Sequence, residues 1–165
     1  MESQHHVNID QLQFMSIGNG GKFEARLARI GPMIGAKNLG YNITVVPPGK
    51  RAFPYHLHHA IEEMFFILEG EGVLRYDGEE SPLRPGDVVA CPAGPGTAHQ
   101  IINTGRSELK YLAVSTNNSP DVVEYPDSGK VAAVAGDFSS QEFKTDLRLM
   151  VKGESNVNYY DGEDD

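Results

Sequence analysis

Short apolar segments recur at close, even spacing from about residue 23 to residue 116, and turn-forming residues separate them. These segments run from Phe23 to Leu27, Leu39 to Val46, Glu63 to Glu69, Gly72 to Tyr76, Val88 to Cys91, His99 to Asn103 and Leu109 to Ser115. No amphipathic helical pattern lies between them. Short strands joined by tight turns are typical of an antiparallel barrel or sandwich, so we predict an all-β fold.

The turn residues and the chain ends set the predicted boundaries of the barrel. Asp77-Gly78 predicts a tight hairpin after the segment that ends at Tyr76, because both residues tolerate the backbone angles of such turns. Residues 1–22 are polar and glycine-rich near their end, and the strand pattern weakens after Asn117, although residues 144–151 could form a late strand. We expect one domain over residues 1–165, with the barrel at about 36–116 and irregular extensions at 1–35 and 117–165.

Charge and composition exclude several classes of partner. The net charge is −9, with 23 acidic and 14 basic residues, and no cluster of Lys and Arg is present. A nucleic-acid partner is therefore not expected, because phosphate backbones attract such clusters. The N-terminus has no apolar stretch like that of a signal peptide, and no apolar run approaches the length of a membrane span. We expect a cytoplasmic protein without a membrane partner.

The chain contains one cysteine, Cys91, so an intrachain disulfide is impossible. Cys91 ends an apolar segment, and no set of potential partner residues surrounds it in the sequence. We interpret it as a buried structural thiol rather than a nucleophile.

Three histidines and one glutamate form the pattern that carries chemistry. His56 and His58 are two residues apart, so on a strand their imidazoles share one face. Glu63 opens the next apolar run, where a carboxylate is costly to bury unless a charge compensates it. His99 lies on a later strand, and each of the four taken alone has an ordinary structural interpretation. Together they suit zinc, iron, manganese, cobalt or nickel.

The spacing of these residues resembles the two sequence motifs of the cupin superfamily. The first motif matches Gly49, His56, His58, Glu63 and Gly70, and the second matches Gly86, Pro92, Gly94, His99 and Asn103. Two departures occur: six residues separate Gly49 from His56, where the family pattern has five, and four separate Gly94 from His99, where it has two.

This resemblance implies a double-stranded β-helix, or jelly-roll, barrel that holds one divalent transition metal on His56, His58, Glu63 and His99. Zinc is the expected ion, with iron, manganese, nickel and cobalt as alternatives. The resemblance also implies a structural role for Asn103 and a homodimer.

The chain further resembles small single-domain cupins described as phosphomannose-isomerase-like, through its Glu-Glu-Met-Phe-Phe run, its Pro-Ala-Gly loop and its Tyr160-Asp161-Gly162-Glu163 end. The implied activity is isomerisation of a sugar phosphate, with the metal as Lewis acid in an enediolate mechanism. The residues do not identify the catalytic base. Alternatives are an Fe(II)-dependent dioxygenase and a non-enzymatic cupin that binds a small molecule.

Three further residues are candidates for contact with a small-molecule substrate. Lys50 shares a strand face with His56 by parity, so it could bind a phosphate group, although a solvated lysine in a turn would look the same. Tyr41 and Tyr111 could line the mouth of the pocket, although aromatic residues on short strands also commonly belong to the core.

Overall fold

The computed structural model describes residues 5–140 and 144–163, and strands dominate it. The strands are β1 (Met15–Gly18), β2 (Glu24–Arg29), β3 (Leu39–Val46), β4 (Leu57–His58), β5 (Glu63–Glu69), β6 (Gly72–Tyr76), β7 (Glu79–Leu83), β8 (Val88–Cys91), β9 (His99–Ile102), β10 (Leu109–Thr116), β11 (Asp121–Tyr125), β12 (Lys130–Asp137) and β13 (Lys144–Lys152). Short 3-10 turns occur at Ile9–Gln11, Gly31–Ile34 and Gly153–Ser155. In these two ranges no helix has the length and apolar character needed to span a membrane.

The strands form three antiparallel sheets whose order differs from the order along the chain. The largest sheet has the order β1-β2-β3-β10-β5-β8, and the other two have the orders β13-β12-β11-β4 and β7-β6-β9. Strand β10 lies between β3 and β5, so a late segment closes the space between two early ones. This arrangement confirms the predicted all-β, jelly-roll class.

The barrel interior is packed by alternate residues of these strands. On β3, Val46 faces the main core, whereas its neighbour Val45 belongs to a second apolar cluster. This alternation follows from the two-residue repeat of a strand. In the main core the rings of Phe65 and Tyr111 meet edge to face, with centroids 5.8 Å apart. Such a contact contributes about 1 kcal/mol beyond the area that it buries.

The predicted hairpin forms between β6 and β7. Asp77 and Gly78 connect the two strands and have φ values of 47° and 87°. Positive φ at both central residues matches the right-handed twist of the flanking strands, and glycine adopts it without steric cost. The local sequence therefore determines the register of this pair.

The expectation of irregular extensions needs correction, because both ends contribute strands. Strand β1 pairs with β2, and strands β11 to β13 form most of the four-stranded sheet. Strand β1 was missed because it is short and largely exposed, so no apolar alternation marks it. Strand β12 contains several alanines and a glycine, which have low strand propensity, and its pairing with β11 and β13 holds it in place.

Asn103 joins two loops beneath the barrel through its buried side chain. Its amide Nδ2 donates to the carbonyl oxygens of Val46 and Ser107 at 2.7 and 2.8 Å, and its Oδ1 accepts from the Gly105 N–H at 2.9 Å. Every polar atom of the amide therefore has a partner, as burial requires. These contacts agree with the structural role that the motif implies.

We predict that Asn103→Ala lowers the free energy of unfolding by about 2–4 kcal/mol, because it leaves several backbone groups without partners. Asn118→Ala is the matched control, since the Asn118 amide makes one exposed hydrogen bond to the Ala60 carbonyl. Its expected loss is below about 1 kcal/mol. Urea denaturation followed by circular dichroism measures both values, and equal losses would contradict the structural role.

Candidate metal centre

Two strand pairings bring the histidines together. His56 precedes β4 and forms an antiparallel bridge with His99, in which each backbone N–H donates to the other residue's carbonyl at 3.2 and 2.8 Å. His58 ends β4, two residues further on, and β4 pairs with β11. The histidines of both motifs therefore meet through backbone hydrogen bonds rather than through loop flexibility.

Glu63 reaches the same place from the large sheet. It is the first residue of β5 and lies between Cys91 on β8 and Ser115 on β10. Its side chain is 18% exposed, and it shares the strand face of Phe65 and Ile67, which belong to the main core. The carboxylate therefore sits at the edge of the core and points toward the histidines.

The three imidazoles converge on one carboxylate oxygen. The Nε2 atoms of His56, His58 and His99 lie 3.7, 3.4 and 3.0 Å from Oε2 of Glu63. Ligand atoms of His56, His58 and Glu63 all lie within 4.8 Å of one another. His99 is not a member of that triplet, and it joins the group through its contact with Glu63.

The other ring nitrogen of each histidine has its own hydrogen-bond acceptor. Nδ1 of His56 lies 2.8 Å from the Pro54 carbonyl, and Nδ1 of His99 lies 2.9 Å from the Thr97 carbonyl. Nδ1 of His58 lies 2.6 Å from Oδ2 of Asp121. Each Nδ1–H donates a hydrogen bond to its acceptor, so Nε2 is the nitrogen of each ring that faces the centre and would offer its lone pair to an ion.

Burial and charge act in opposite directions on the ionisable groups. Burial favours a neutral Glu63, but hydrogen bonds from His56, His58 and His99 outweigh it and hold the pKa of Glu63 well below its usual value. Burial disfavours a charged His58, but hydrogen bonds to Asp121 and Glu63 raise the pKa of His58 to about 9. The group therefore combines an ionised carboxylate with imidazoles whose Nε2 atoms face it.

These donors fit a divalent transition metal. Three imidazole nitrogens and one carboxylate oxygen are the atoms that such ions bind, and the acceptors at Nδ1 are the usual partners of metal-bound histidines. His56 and His58 lie on the segment that contains β4, Glu63 begins β5 and His99 begins β9, so the barrel holds the geometry. An ion bound by these four side chains would lie in the space between them.

Two cavities, each of about 270 Å³, meet at this group. His58, Glu63 and Val123 line both of them. The first also contacts Arg29 and Asn42, and the second contacts Phe53, His56 and Tyr125. We call the side chains of His56, His58, Glu63 and His99 the donor group. The ring of Tyr125 stacks on His56 with centroids 6.2 Å apart, so an aromatic wall covers one side of the donor group.

The three predicted substrate residues lie in three different environments. Tyr41 lines the first cavity, although its ring also packs against the second apolar cluster. Tyr111 is buried in the main core and contacts only a small space beside His56 and His99. Lys50 is absent from the described walls of both of these cavities, and its Nζ donates to the Gly21 carbonyl at 2.7 Å and lies 3.2 Å from Glu24.

Sequence reasoning missed Asp121 and Arg29 at this site. Asp121 lies where the strand pattern had weakened, and no local motif connects it to His58. Arg29 follows the predicted strand that ends at Leu27, and extending the alternation by two residues would have placed it on the inner face.

We predict that Cys91 is unreactive in the folded protein, although it lies opposite Glu63 on β8. Burial and the nearby Glu63 charge raise the pKa of the Cys91 thiol to about 12. The thiolate fraction at pH 8 is then about a thousandfold below that of an ordinary cysteine. Titration with a chromogenic disulfide should release thiol only after denaturation, and rapid labelling of the native protein would contradict this interpretation.

Comparison with known proteins identifies the fold family. A family model described as a cupin domain matches residues 42–115. A protein named Oxalate-binding protein, from Thermotoga maritima, is 41% identical over 69 residues, which make up 42% of this chain and 54% of that protein. The chain thus spans about half the length of this curated relative.

Two solved structures extend the likeness over more of the chain. The structure of a candidate sugar phosphate isomerase from Acidithiobacillus ferrooxidans is 26% identical, covers 91% of both chains and has a TM-score of 0.77. That of a predicted oxalate decarboxylase from Thermotoga maritima is 31% identical, covers 67% of this chain and 97% of that chain, and has a TM-score of 0.58. With the domain match, the strand topology and the two motifs, these likenesses show that the chain belongs to the cupin superfamily.

Proposed function

We propose that this cupin is a metal-dependent isomerase of a sugar phosphate and that His56, His58, Glu63 and His99 hold the metal. The observation that carries the proposal is the arrangement of the imidazoles, whose Nε2 atoms face one carboxylate oxygen while each Nδ1 has an acceptor. A cluster held only by packing would not need the same nitrogen of each ring to point inward.

The choice of an isomerase rests on the neighbouring structure and on the cavity. The similar structure from Acidithiobacillus ferrooxidans is described as a candidate sugar phosphate isomerase. When bound, a divalent metal would supply a Lewis acid that polarises the carbonyl and hydroxyl oxygens of the substrate. The cavity of about 270 Å³ beside Glu63 approaches the size of a typical small-molecule site.

Transfer of a proton between adjacent carbons also needs a base within hydrogen-bond reach of the substrate. The carboxylates of Glu63 and Asp121 line the first cavity. Both oxygens of Asp121 are engaged, because Oδ2 contacts His58 and Oδ1 accepts from the Ala60 N–H at 2.9 Å. Glu63 is assigned to the metal, and its low pKa makes it a weak base, so neither carboxylate is assigned the proton transfer.

A second candidate function is metal-dependent binding or turnover of a small dicarboxylate. The relative from Thermotoga maritima that is named Oxalate-binding protein is 41% identical over the matched segment. The same donor atoms also suit iron, so oxygen consumption by the iron-loaded protein would favour a dioxygenase instead. Titration with oxalate and an oxygen electrode distinguish these activities from isomerisation.

We predict that the purified wild-type protein carries or rebinds about one divalent ion per chain and that His58→Ala loses most of it. His59→Ala is the matched control, because His59 is the next residue but pairs with the exposed Glu124. Elemental analysis after dialysis measures the metal content. A wild-type protein that neither retains nor rebinds an ion would disprove the metal site.

The isomerase proposal predicts that metal-loaded protein converts mannose 6-phosphate or a related aldose phosphate to its ketose. Chelation and His58→Ala should each reduce turnover at least a hundredfold, and His59→Ala should leave it near the wild-type rate. Coupled assays follow the product. Metal-loaded protein that leaves all such sugar phosphates unchanged would rule out this activity while leaving the metal site intact.

Asp121 gives a separate test of how the histidines are held. Asp121→Asn removes the carboxylate that accepts from His58 Nδ1, so we predict a tenfold to hundredfold loss of metal affinity. Glu124→Gln is the control on the same strand, because it removes a carboxylate at the same 2.6 Å distance from the neighbouring His59. Competition with a chromogenic chelator measures both affinities, and equal values for the two variants would contradict the role of Asp121.

A further inference from the structure

Arg29 brings a positive charge to the inner face of the large sheet. It ends β2, and it lies four residues after Ala25, which belongs to the main core. Residues separated by an even number share a strand face, so the Arg29 side chain projects toward the barrel interior. Its cross-strand partner on β3 is Asn42.

Arg29 lines the same cavity as part of the donor group. Arg29, Asn42, Ser115, His58 and Glu63 all line it. Arg29 is the one arginine or lysine among the described residues that line this cavity. Its Nη2 donates to the Phe138 carbonyl at 2.9 Å, which anchors the guanidinium at the wall.

A hydrogen bond from the buried Thr44 orients the Asn42 amide beside Arg29. Thr44 is fully buried, and its hydroxyl donates to Oδ1 of Asn42 at 2.9 Å. Because the amide oxygen is the acceptor in that bond, the amide nitrogen Nδ2 is on the other side of the amide and remains a hydrogen-bond donor. Asn42 therefore lines the cavity as a hydrogen-bond donor that the core holds in place.

The absence of a side chain at Gly40 keeps the next part of the wall polar and open. A Cβ atom at Gly40 would lie 2.8 Å from the Ser115 hydroxyl oxygen and 3.1 Å from Oδ1 of Asn117. Gly40 and Ser115 are direct cross-strand partners, and Ser115 is in turn the partner of Glu63. A hydroxyl thus lies between the Arg29 side of the sheet and the Glu63 side.

We propose that Arg29, Asn42 and Ser115 form a subsite for the anionic group, a phosphate or a carboxylate, of the substrate whose reacting end lies at the donor group. A guanidinium offers planar paired donors to such an oxyanion, and an amide and a hydroxyl add directed hydrogen bonds. Because the proposal takes its substrate from the proposed function, its test uses binding as well as turnover. Lys50, the residue that strand parity offered for a phosphate group, does not line this cavity.

The sheet order favours a substrate with its anionic group at one end and its reacting carbons at the other. Three strand spacings separate β2 from β5, which is roughly 14 Å along the sheet before the side chains reach into the cavity. A sugar phosphate spans such a gap better than oxalate, whose two carboxylates are directly bonded. The phosphate of an aldose phosphate is therefore the anion that we expect at Arg29.

Isothermal titration of the metal-loaded protein tests the subsite. Arg29→Gln should weaken binding of mannose 6-phosphate about tenfold to a hundredfold, and should leave the weaker binding of mannose unchanged. Arg26→Gln is the matched control, because Arg26 is on the same strand but its exposed guanidinium pairs with Glu108 at 2.7 Å. It should bind both sugars as the wild type does.

Two further arms separate this proposal from the proposed function. Inorganic phosphate cannot be isomerised, so its weaker binding to Arg29→Gln would support the subsite even if every turnover assay were negative. Oxalate that binds more tightly than mannose 6-phosphate in an Arg29-dependent way would assign the subsite to a carboxylate. Wild-type affinity of Arg29→Gln for phosphate, mannose 6-phosphate and oxalate would overturn the proposal, as would failure of the wild type to bind any of them.

Arg29→Lys covers the case in which the glutamine variant does not fold, which thermal melting detects. A lysine keeps the charge but cannot offer paired planar donors, so we expect mannose 6-phosphate to bind severalfold more weakly than to the wild type. Wild-type affinity in Arg29→Lys would also overturn the assignment of a guanidinium to this anion.

Discussion

The contact between the Glu63 carboxylate and three imidazoles is the constraint on which the rest of the site depends. A buried carboxylate is costly unless hydrogen bonds or positive charge compensate it. Here the compensation comes from His56, His58 and His99, whose Nε2 atoms lie within 3.7 Å of one oxygen. The barrel brings these groups together, and an acceptor at each Nδ1 fixes the direction in which the ring faces.

The polar groups around the donor group have two different roles. Asp121 and two backbone carbonyls orient the histidines, and the cavity wall beyond them carries Arg29 and Asn42. The buried Thr44 supports this wall indirectly, because its hydroxyl holds the Asn42 amide. The same barrel thus supplies rigid support to both the donor group and the opposite wall, as precise positioning of a substrate requires.

Local sequence patterns predicted the features that depend on neighbouring residues. Strands β3, β5, β6 and β8 have the predicted bounds, and the Asp77-Gly78 hairpin forms as expected. In both cases the physical cause lies within a few residues, in alternation or in the backbone preference of the turn. The His56-Leu57-His58 spacing belongs to the same class, because a strand places both rings on one face.

Other features depend on contacts between distant segments, which one sequence does not reveal. Asp121 is buried beside His58, yet its own strand shows no strong apolar alternation in the sequence. Pairing with β4 and β12, rather than a local pattern, holds β11 in place. Lys50 satisfied the parity rule, but the loop geometry directs it to Gly21 and Glu24. The alternation of a strand predicts the face on which a side chain lies, but the three-dimensional path of the chain determines which residues that side chain contacts.

The backbone bridge between His56 and His99 has a consequence for how this chain folds. Among the four donors of the site, His56 and His58 are the closest in sequence, and the full set comes together only after β4, β5 and β9 have closed around it. Closing such long segments costs chain entropy before the contacts form. An ion that binds this full set would therefore favour the completed barrel over partly folded states, so a bound ion would also stabilise the barrel that holds it.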